Sequence, residues 1–231
     1  MGKTLAVITA RGGSKRIPRK NIKEFLGKPI LAYPIEAAQS AAVFDEIMVS
    51  TDDPEIARTA AFYGAAVPFL RSEKTSGDYA CTEDVIMEVI QAYEERGRMF
   101  DYVACLYPTA PFIKPSWLCQ GLCLVQQPEV GMVMTAVRFS FPPQRCLVRD
   151  GAFVKYKWPE YMGARSQDLE PYYHDGGQFY YYDVKEFKKR NGLFAEGIAV
   201  VELPEAEIQD IDTPQDWRIA EMKYRMLCQG M

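Results

Sequence analysis

The 231-residue sequence lacks an apolar run of the roughly 18 residues that a membrane-spanning helix needs. It also lacks a broad excess of basic side chains, because 27 lysines and arginines are set against 31 aspartates and glutamates. A nucleic acid is therefore not expected as the main partner, since such proteins usually present a wide basic face. The charge balance instead favours a small polyanion as the ligand.

Histidine is nearly absent as well, since His174 is the only one. Cys119 and Cys123 lie one helical turn apart, but no cysteine or histidine pair completes a zinc site. The six cysteines fall in apolar stretches, and the first residues run straight into a predicted strand instead of a secretory signal. We therefore predict six reduced core thiols in a cytoplasmic protein.

Positive charge is concentrated in one stretch, residues 10–21 (ARGGSKRIPRKN), although the chain has a net charge of -4. Gly12 and Gly13 have no Cβ, so the backbone there can turn sharply and approach a ligand closely. The stretch follows the apolar residues 5–8, which predict a first buried strand. Its basic residues are Arg11, Lys15, Arg16, Arg19 and Lys20.

A basic loop is commonly only a solvated surface. Two features favour a phosphate cradle here. The loop leaves the carboxyl end of a first strand, where open α/β sheets bind ligands, and it combines glycines, a hydroxyl and basic side chains. The pattern is neither a P-loop nor the dinucleotide fingerprint. We interpret the loop as a binding site for a nucleoside triphosphate.

Strand-like and helical patterns alternate along the chain, which predicts a mostly parallel sheet covered by helices on both faces. Predicted strands cover residues 5–8, 46–50, 66–70, 102–106, 130–137, 178–183 and 198–202. Predicted helices cover residues 30–42, 54–63, 82–98 and 116–127, a segment ending near 191 and one beginning at 214. Asp52 or Asp53 is expected to cap the helix at Pro54, and Thr82 the next helix.

Residues 138–175 break this alternation and are rich in aromatic side chains and prolines. Such a segment is too apolar for a free linker, so it packs either over the site as a lid or against another subunit. We predict one domain, residues 1–231, with residues 138–175 as an inserted lid or dimerisation lobe.

Asp210 and Asp212 form an Asp-x-Asp pair near the end of the chain. In an extended segment both carboxylates point to one side, because side chains alternate with period two. Mg²⁺ prefers such oxygen ligands together with substrate phosphates. The alternative is that Asp212 or Thr213 only caps the helix that begins at Pro214.

The sequence resembles the CMP-sugar synthetases that act on nine-carbon keto acids, over essentially its whole length. The motifs that carry the resemblance occur in the family's order: Ala10-Arg11-Gly12-Gly13-Ser14-Lys15, Ile17-Pro18-Arg19-Lys20-Asn21, Ser50-Thr51-Asp52, Pro108-Thr109-Ala110-Pro111 and Asp210-Ile211-Asp212. Residues 107–112 (YPTAPF) and 173–180 (YHDGGQFY) are similar to the branch that acts on pseudaminic acid. Tyr107 stands where the N-acetylneuraminate branch commonly has Gln.

The resemblance implies a three-layer α/β/α Rossmann-like nucleotidyltransferase fold with a mostly parallel mixed sheet. The implied nucleotide-binding residues are Ala10, Arg11, Gly12, Gly13, Ser14, Lys15, Lys20, Asn21, Arg71 and Thr82. The implied sugar-binding residues are Tyr107, Arg165, His174 and Gln178, and Asp210 and Asp212 are expected to hold Mg²⁺. Members of the family are dimers, so Arg165 is expected to act in the site of the neighbouring subunit.

The implied reaction is attack by the anomeric hydroxyl of the sugar acid on the α-phosphorus of CTP, with release of pyrophosphate. Arg11 and Lys15 are expected to stabilise the phosphate charge, while either a metal-bound alkoxide or Asp210 as a base activates the hydroxyl. Flagellin glycosylation is the pathway that the resemblance suggests. Three alternatives stay open: N-acetylneuraminate or legionaminate as the acceptor, a regulatory nucleotide-binding module without turnover, and a structural interaction protein.

Overall fold

The computed structural model describes residues 2–77 and 79–229. The strands are β1 (Thr4–Thr9), β2 (Glu24–Phe25), β3 (Lys28–Pro29), β4 (Glu46–Ser50), β5 (Tyr102–Leu106), β6 (Met132–Arg138), β7 (Leu147–Asp150), β8 (Phe153–Tyr156), β9 (Tyr173–Asp183) and β10 (Ile198–Glu202). The α-helices are α1 (Ala32–Ala41), α2 (Pro54–Phe62), α3 (Glu73–Ser76), α4 (Thr82–Glu94), α5 (Pro115–Val125), α6 (Val184–Arg190) and α7 (Pro214–Cys228).

The central sheet has six strands in the order β10-β6-β9-β5-β1-β4. β1 pairs in parallel with β4 and with β5, and β10 pairs in parallel with β6. β9 runs antiparallel between β5 and β6, so the sheet is mixed but mostly parallel. The predicted sheet class is therefore confirmed, and the uncharged β5 lies inside the sheet as its composition indicates.

Side chains of β1 alternate between two hydrophobic layers, as the period of a strand requires. Ala6 and Ile8 pack in a cluster that includes residues of α1 and α5, while Leu5 and Val7 pack with residues of α4 and α6. Helices therefore cover both faces of the sheet, which gives the three-layer α/β/α arrangement. This arrangement leaves the loops after β1 and β5 at one edge of the sheet.

Some predicted elements are wrong in detail. Residues 66–70 do not form a strand, because Ala66 makes only an isolated bridge to Met48 before Pro68 interrupts the hydrogen bonding. Cys81, not Thr82, is the N-cap residue of α4. All six cysteines are free, and Cys105 is fully buried while Cys119 packs partly buried against the core. The prediction of six core thiols is wrong for Cys81, Cys123 and Cys228, which are exposed.

The segment 138–175 contains the hairpin of β7 and β8 and three short 3₁₀ turns, Pro143–Arg145, Pro159–Tyr161 and Ser166–Asp168. Many of its large apolar side chains are exposed, with Phe141 at 86% and Phe153 at 79%. Its role as a lid or dimerisation lobe of a single domain stays a prediction. In the part of the chain that the structure describes, no helix is long and apolar enough to cross a membrane.

Candidate nucleotide-binding site

A cleft of about 620 Å³ opens at the carboxyl ends of β1 and β5. Basic and polar side chains dominate its wall, so the site suits a charged ligand. The residues that line it are Thr9, Arg11, Ser14, Lys15, Arg16, Ile17, Lys20, Asn21, Thr82, Tyr107, Pro108, Thr109 and Asp212.

The basic loop is held in shape by a carboxylate and an amide. The backbone N–H of Gly12 donates to Asp52 Oδ1 at 2.8 Å, and Asn21 Nδ2 donates to the Arg11 carbonyl at 2.8 Å. A Cβ at Gly12 would lie 2.8 Å from an oxygen of Asp53, so only glycine fits there without a shift. Asn21 is buried, and its Oδ1 has no hydrogen-bond partner within the described residues.

Arg19, near the end of the basic loop, forms ion pairs with residues at the start of α2. Its backbone has the left-handed conformation (φ 55°), and its guanidinium donates to Asp53 and Glu55. Asp53 also caps α2 by accepting the N–H groups of Glu55 and Ile56, as expected from the sequence. The hydrogen bond from Arg19 and these N–H groups lower the pKa of Asp53 to about 2, although partial burial opposes the shift.

The acidic segment lies directly against the basic loop. Arg16 Nη2 is 2.8 Å from Asp212 Oδ2, and Lys20 Nζ is 2.7 Å from the Ile211 carbonyl oxygen and 3.4 Å from Asp212 Oδ1. Partial desolvation, followed by the nearby carboxylate of Asp212, raises the pKa of Asp210, while Lys20 opposes the shift. One wall of the cleft is thus cationic, and two mutually repelling carboxylates stand beside it.

An apolar cluster brings these two distant segments together. Ile17 of the basic loop and Ile211 between the two aspartates are both buried in it, together with Phe25 and Trp217. The rings of Phe25 and Trp217 are 5.5 Å apart and nearly perpendicular, a favourable aromatic geometry. Burial of each such side chain contributes roughly 1.5–3 kcal/mol, far more than an exposed ion pair does.

The start of α7 fixes the backbone just after the acidic pair. Thr213 and Asp216 form a capping box, in which the Asp216 N–H donates to Thr213 Oγ1 and the Thr213 N–H donates to Asp216 Oδ2. Thr213 is therefore the helix cap, and the alternative that Asp212 caps this helix is wrong. The carboxylate of Asp212 instead faces the cleft.

The sequence profile of the cytidylyltransferase family matches residues 5–195. The chain belongs to the cytidylyltransferase family. It is 40% identical to the pseudaminic acid cytidylyltransferase of Campylobacter jejuni subsp. jejuni serotype O:23/36, over 97% of both chains. It is 35% identical to the CMP-N,N'-diacetyllegionaminic acid synthase of Legionella pneumophila subsp. pneumophila, over 94% of both.

A solved structure also resembles this cytidylyltransferase in fold. It is a CMP:2-keto-3-deoxy-manno-octonic acid synthetase complexed with CTP, with a TM-score of 0.71 and 20% sequence identity. The superposition covers 98% of this chain and 99% of the other chain. At this identity the likeness supports the nucleotidyltransferase fold and nothing finer.

The structure gathers most of the predicted nucleotide-binding residues in the cleft together with Asp212, whereas Asp210 is not among the residues that line it; the roles of all of them stay predictions. Arg71 is an exception, because it is buried and donates to Ser50 Oγ at 3.0 Å and to the Ser50 carbonyl at 2.7 Å. Burial lowers its pKa, which the nearby carboxylate of Asp52 opposes. Ala10 is buried. The residues that line the cleft include neither Ala10 nor Gly12 and Gly13.

The predicted sugar-binding residues are dispersed. Tyr107 lines the cleft, but His174 is exposed, with its ring 4.9 Å from that of Phe139 and Nδ1 2.8 Å from the Asp175 carbonyl oxygen. Gln178 is buried, and its Nε2 donates to the Gly176 carbonyl at 3.0 Å. Arg165 lies in the lobe 138–175, paired with Asp168 at 2.7 Å.

Sequence reasoning left Arg16 and Thr109 without a role in this cytidylyltransferase, although both line the cleft. Thr109 belongs to the Pro108-Thr109-Ala110-Pro111 motif after β5, which was the signal available for it. For Arg16 no signal in the sequence separates it from the other basic residues of the loop. Asp52 was predicted as a possible helix cap and belongs to the Ser50-Thr51-Asp52 motif, but its contact with the basic loop, in which it accepts the N–H of Gly12, was not predicted.

Proposed function

We propose that this cytidylyltransferase transfers CMP from CTP to the anomeric hydroxyl of a nonulosonic acid, with pseudaminic acid as the preferred acceptor. The observation that carries the proposal is the junction of the basic loop and the acidic segment at Arg16 and Asp212 in one cleft. The similarity to pseudaminic acid cytidylyltransferase over 97% of both chains supports the choice of acceptor.

In this reaction the anomeric oxygen forms a bond to the α-phosphorus, and the bond from that phosphorus to the bridging oxygen of the β-phosphate breaks. Pyrophosphate leaves, and the hydroxyl proton passes to a base, which we assign to Asp210. Arg11, Lys15 and Lys20 bind the phosphates and stabilise the charge that develops on them. Positioning and charge neutralisation dominate such transfers.

Asp210 and Asp212 fit Mg²⁺ in the chemistry of their oxygen donors, because Mg²⁺ is usually held by one or two carboxylates plus substrate phosphates. Their mutual repulsion, which contributes to the raised pKa of Asp210, is what a cation relieves. Among the described residues no group of three His, Cys, Asp or Glu is placed to hold a metal alone, so binding together with CTP is proposed. When bound, the ion supplies charge neutralisation at the phosphates.

We also propose that the protein is a homodimer that works in the cytoplasm, where CTP is available, and that it serves a glycosylation route such as that of flagellin. The exposed aromatic side chains of residues 138–175 support a subunit interface, because large exposed apolar patches mark interaction sites. Arg165, which lies in that segment, is proposed to act in the neighbouring site. Light scattering of the purified protein tests the dimer.

The proposed function is tested by supplying the purified protein with CTP, Mg²⁺ and, separately, pseudaminic, legionaminic and N-acetylneuraminic acids, and by measuring pyrophosphate. We expect the highest kcat/KM with pseudaminic acid. The 35% identity to a CMP-N,N'-diacetyllegionaminic acid synthase makes legionaminate the second candidate. If no pyrophosphate forms from CTP with any of the three acids, the proposal is contradicted, and a nucleotide-binding module without turnover is favoured.

A further inference from the structure

Both oxygens of the Asp212 carboxylate face cations of the basic loop. Arg16 Nη2 lies 2.8 Å from Oδ2, and Lys20 Nζ lies 3.4 Å from Oδ1. A metal ion bound to this carboxylate would stand beside two like charges, and charges at such distances repel wherever solvent does not fully screen them. The basic loop and a metal ion therefore compete for Asp212.

The two cations of the loop are held in different ways. The Lys20 side chain is only 20% exposed, and its ammonium group donates to the Ile211 carbonyl at 2.7 Å, a shorter contact than the one to Asp212. The Arg16 side chain is 64% exposed, so its guanidinium can leave Asp212 without disturbing buried atoms. Arg16 is thus the exchangeable partner, whereas Lys20 stays anchored to the backbone.

Buried neighbours fix the backbone on both sides of the ion pair. Ile17 follows Arg16, Ile211 precedes Asp212, and both isoleucines lie in the same apolar cluster. The Asp212 N–H also donates to Asp216 Oδ2 at 3.2 Å. Rotation of the two charged side chains is therefore sufficient to break the pair, and neither segment of backbone has to move.

The cleft suits an anion that attracts Arg16 more strongly than Asp212 does. Arg16 lines the cleft beside Lys15 and Lys20. A guanidinium can donate two parallel hydrogen bonds to a phosphate, as it can to a carboxylate. A triphosphate carries several negative charges, whereas Asp212 carries one, so the phosphates are the stronger partner.

We propose that Arg16 makes the metal site at Asp212 dependent on the nucleotide. The guanidinium pairs with Asp212 until the phosphates of CTP attract it, and the carboxylate is then available to Mg²⁺. CTP therefore binds before the metal or together with it, and Mg²⁺ alone binds weakly. The inference rests on the proposed function and assigns Arg16 to the control of metal binding.

The first test measures metal binding without any nucleotide. Mn²⁺, which suits the same oxygen ligands as Mg²⁺, is titrated into the protein, and the free ion is followed by electron paramagnetic resonance. Arg16→Met removes the charge and keeps an apolar side chain of similar length. Because no fixed positive charge then stands beside Asp212, this variant should bind Mn²⁺ about tenfold more tightly than the wild type.

Arg225→Met is the matched control for the change in net charge. Arg225 forms an exposed pair with Glu221 on α7 and does not line the cleft. This variant should bind Mn²⁺ with the affinity of the wild type. An equal gain in Arg16→Met and Arg225→Met would mean that net charge alone sets the affinity, and it would contradict the proposal.

Asp212→Asn shows whether the gain arises at this carboxylate. In that background Arg16→Met should no longer tighten Mn²⁺ binding, because the carboxylate for which the two cations compete has been removed. A gain of the same size in the double variant would mean that Arg16 repels the metal from another site. The proposal would then be overturned.

The second test is calorimetry of CTP binding in EDTA, with no sugar acid present. Arg16→Met should weaken CTP binding about tenfold, the value of one charge-assisted hydrogen bond, while Arg225→Met should bind CTP like the wild type. The affinities for metal and for nucleotide should thus change in opposite directions. Loss of a merely structural ion pair would lower Tm and would move neither affinity.

The inference is overturned if the wild type and Arg16→Met bind Mn²⁺ equally without nucleotide, or if they bind metal-free CTP equally. Neither measurement needs turnover. A wild-type protein that binds CTP but releases no pyrophosphate with any sugar acid would contradict the proposed function, while the two affinities would still judge the role of Arg16. A wild-type protein that does not bind CTP would contradict both.

Discussion

Arg16 and Asp212 lie 196 positions apart in the chain, yet Nη2 of the arginine is 2.8 Å from Oδ2 of the aspartate. The Arg16 side chain is 64% exposed and that of Asp212 41%, so solvent screens the pair and it contributes little to stability. Its importance is positional, because it marks the place where the cationic loop after β1 meets the acidic segment before α7.

Asp212→Asn should reduce kcat by about 100-fold or more, because it removes one of the two carboxylates that balance charge in the cleft. Tm should change little, since the ion pairs of Asp212 are exposed. The measurement is steady-state kinetics beside a thermal melt. Full activity with an unchanged requirement for Mg²⁺ would place the metal elsewhere.

Asp183→Ala is the matched control for that variant. Asp183 caps α6 by accepting the N–H of Glu186 at 2.9 Å, and it does not line the cleft. Loss of the cap is expected to cost about 1 kcal/mol of unfolding free energy and to leave kcat nearly unchanged. Asp212→Asn should thus lower kcat with little change in Tm, whereas the control should lower Tm with little change in kcat.

Lys20→Met should raise the KM for CTP more than the KM for the sugar acid. Its ammonium group lines the cleft and donates to the Ile211 carbonyl at 2.7 Å, so its loss removes the phosphate contact that we propose for it. Lys23→Met is the control, because Lys23 lies over the Trp217 ring, 4.5 Å from its centroid, and does not line the cleft. Equal KM values for CTP in the two variants would mean that Lys20 does not bind the nucleotide.

Asp53→Asn should destabilise the protein in a pH-dependent way. The pKa of Asp53 is lowered from 3.8 to about 2 in the folded state. The ionised carboxylate therefore adds to the free energy of unfolding above about pH 4, and this stabilisation is lost as the pH falls toward 2. The shift corresponds to about 2 kcal/mol at pH 7, and only 18% of the side chain is exposed, which limits screening. Asparagine still caps helices well, so α2 keeps its cap.

Urea unfolding of wild type and Asp53→Asn at a series of pH values measures this effect. The difference between their free energies of unfolding should be constant from pH 7 to about pH 5 and should shrink below pH 4. Asp150→Asn is the control, because Asp150 pairs with Lys155 on the exposed hairpin of β7 and β8 and should contribute almost nothing. A difference that grows as the pH falls would contradict the assignment.

Gly12→Ala should lower Tm in the absence of any nucleotide, whereas Gly13→Ala should have little effect on Tm. A Cβ at Gly12 meets Asp53, which Arg19 and the α2 N–H groups hold in place, while a Cβ at Gly13 meets nothing within 4 Å. The displaced loop should also weaken CTP binding in calorimetry. Similar melting curves for the two variants would mean that the Asp53 side chain moves away from the added Cβ at little energetic cost.

The sequence allowed prediction of the parts of this site better than of their assembly. The glycines and basic residues of the loop 10–21 indicate phosphate binding locally, and the Asp-x-Asp pair indicates a cation. Their meeting depends on the burial of Ile17 and Ile211 in one cluster, and no local pattern reveals that contact. Only the resemblance to a family connected the two motifs in advance.

Other features lay beyond prediction because tertiary contacts decide them. A bulge where β9 pairs with β6 lets the Tyr180 hydroxyl donate to Asp175 Oδ2 at 2.6 Å, and an isolated strand pattern does not contain that pairing. Arg71 looks like a surface residue in a polar stretch, yet it is buried because the Ser50 hydroxyl and carbonyl accept its guanidinium. The N-cap at Cys81 was missed because cysteine is not among the residues preferred there.

The most direct test of the central claim is a crystal structure of the protein with CTP and Mg²⁺. The account predicts the triphosphate between the basic loop and the acidic segment, with phosphate oxygens near Lys15 and Lys20 and the metal about 2.1 Å from oxygens of Asp210 and Asp212. Nucleotide bound outside the cleft, or in it with Asp212 still paired to Arg16 and no metal beside it, would contradict the account.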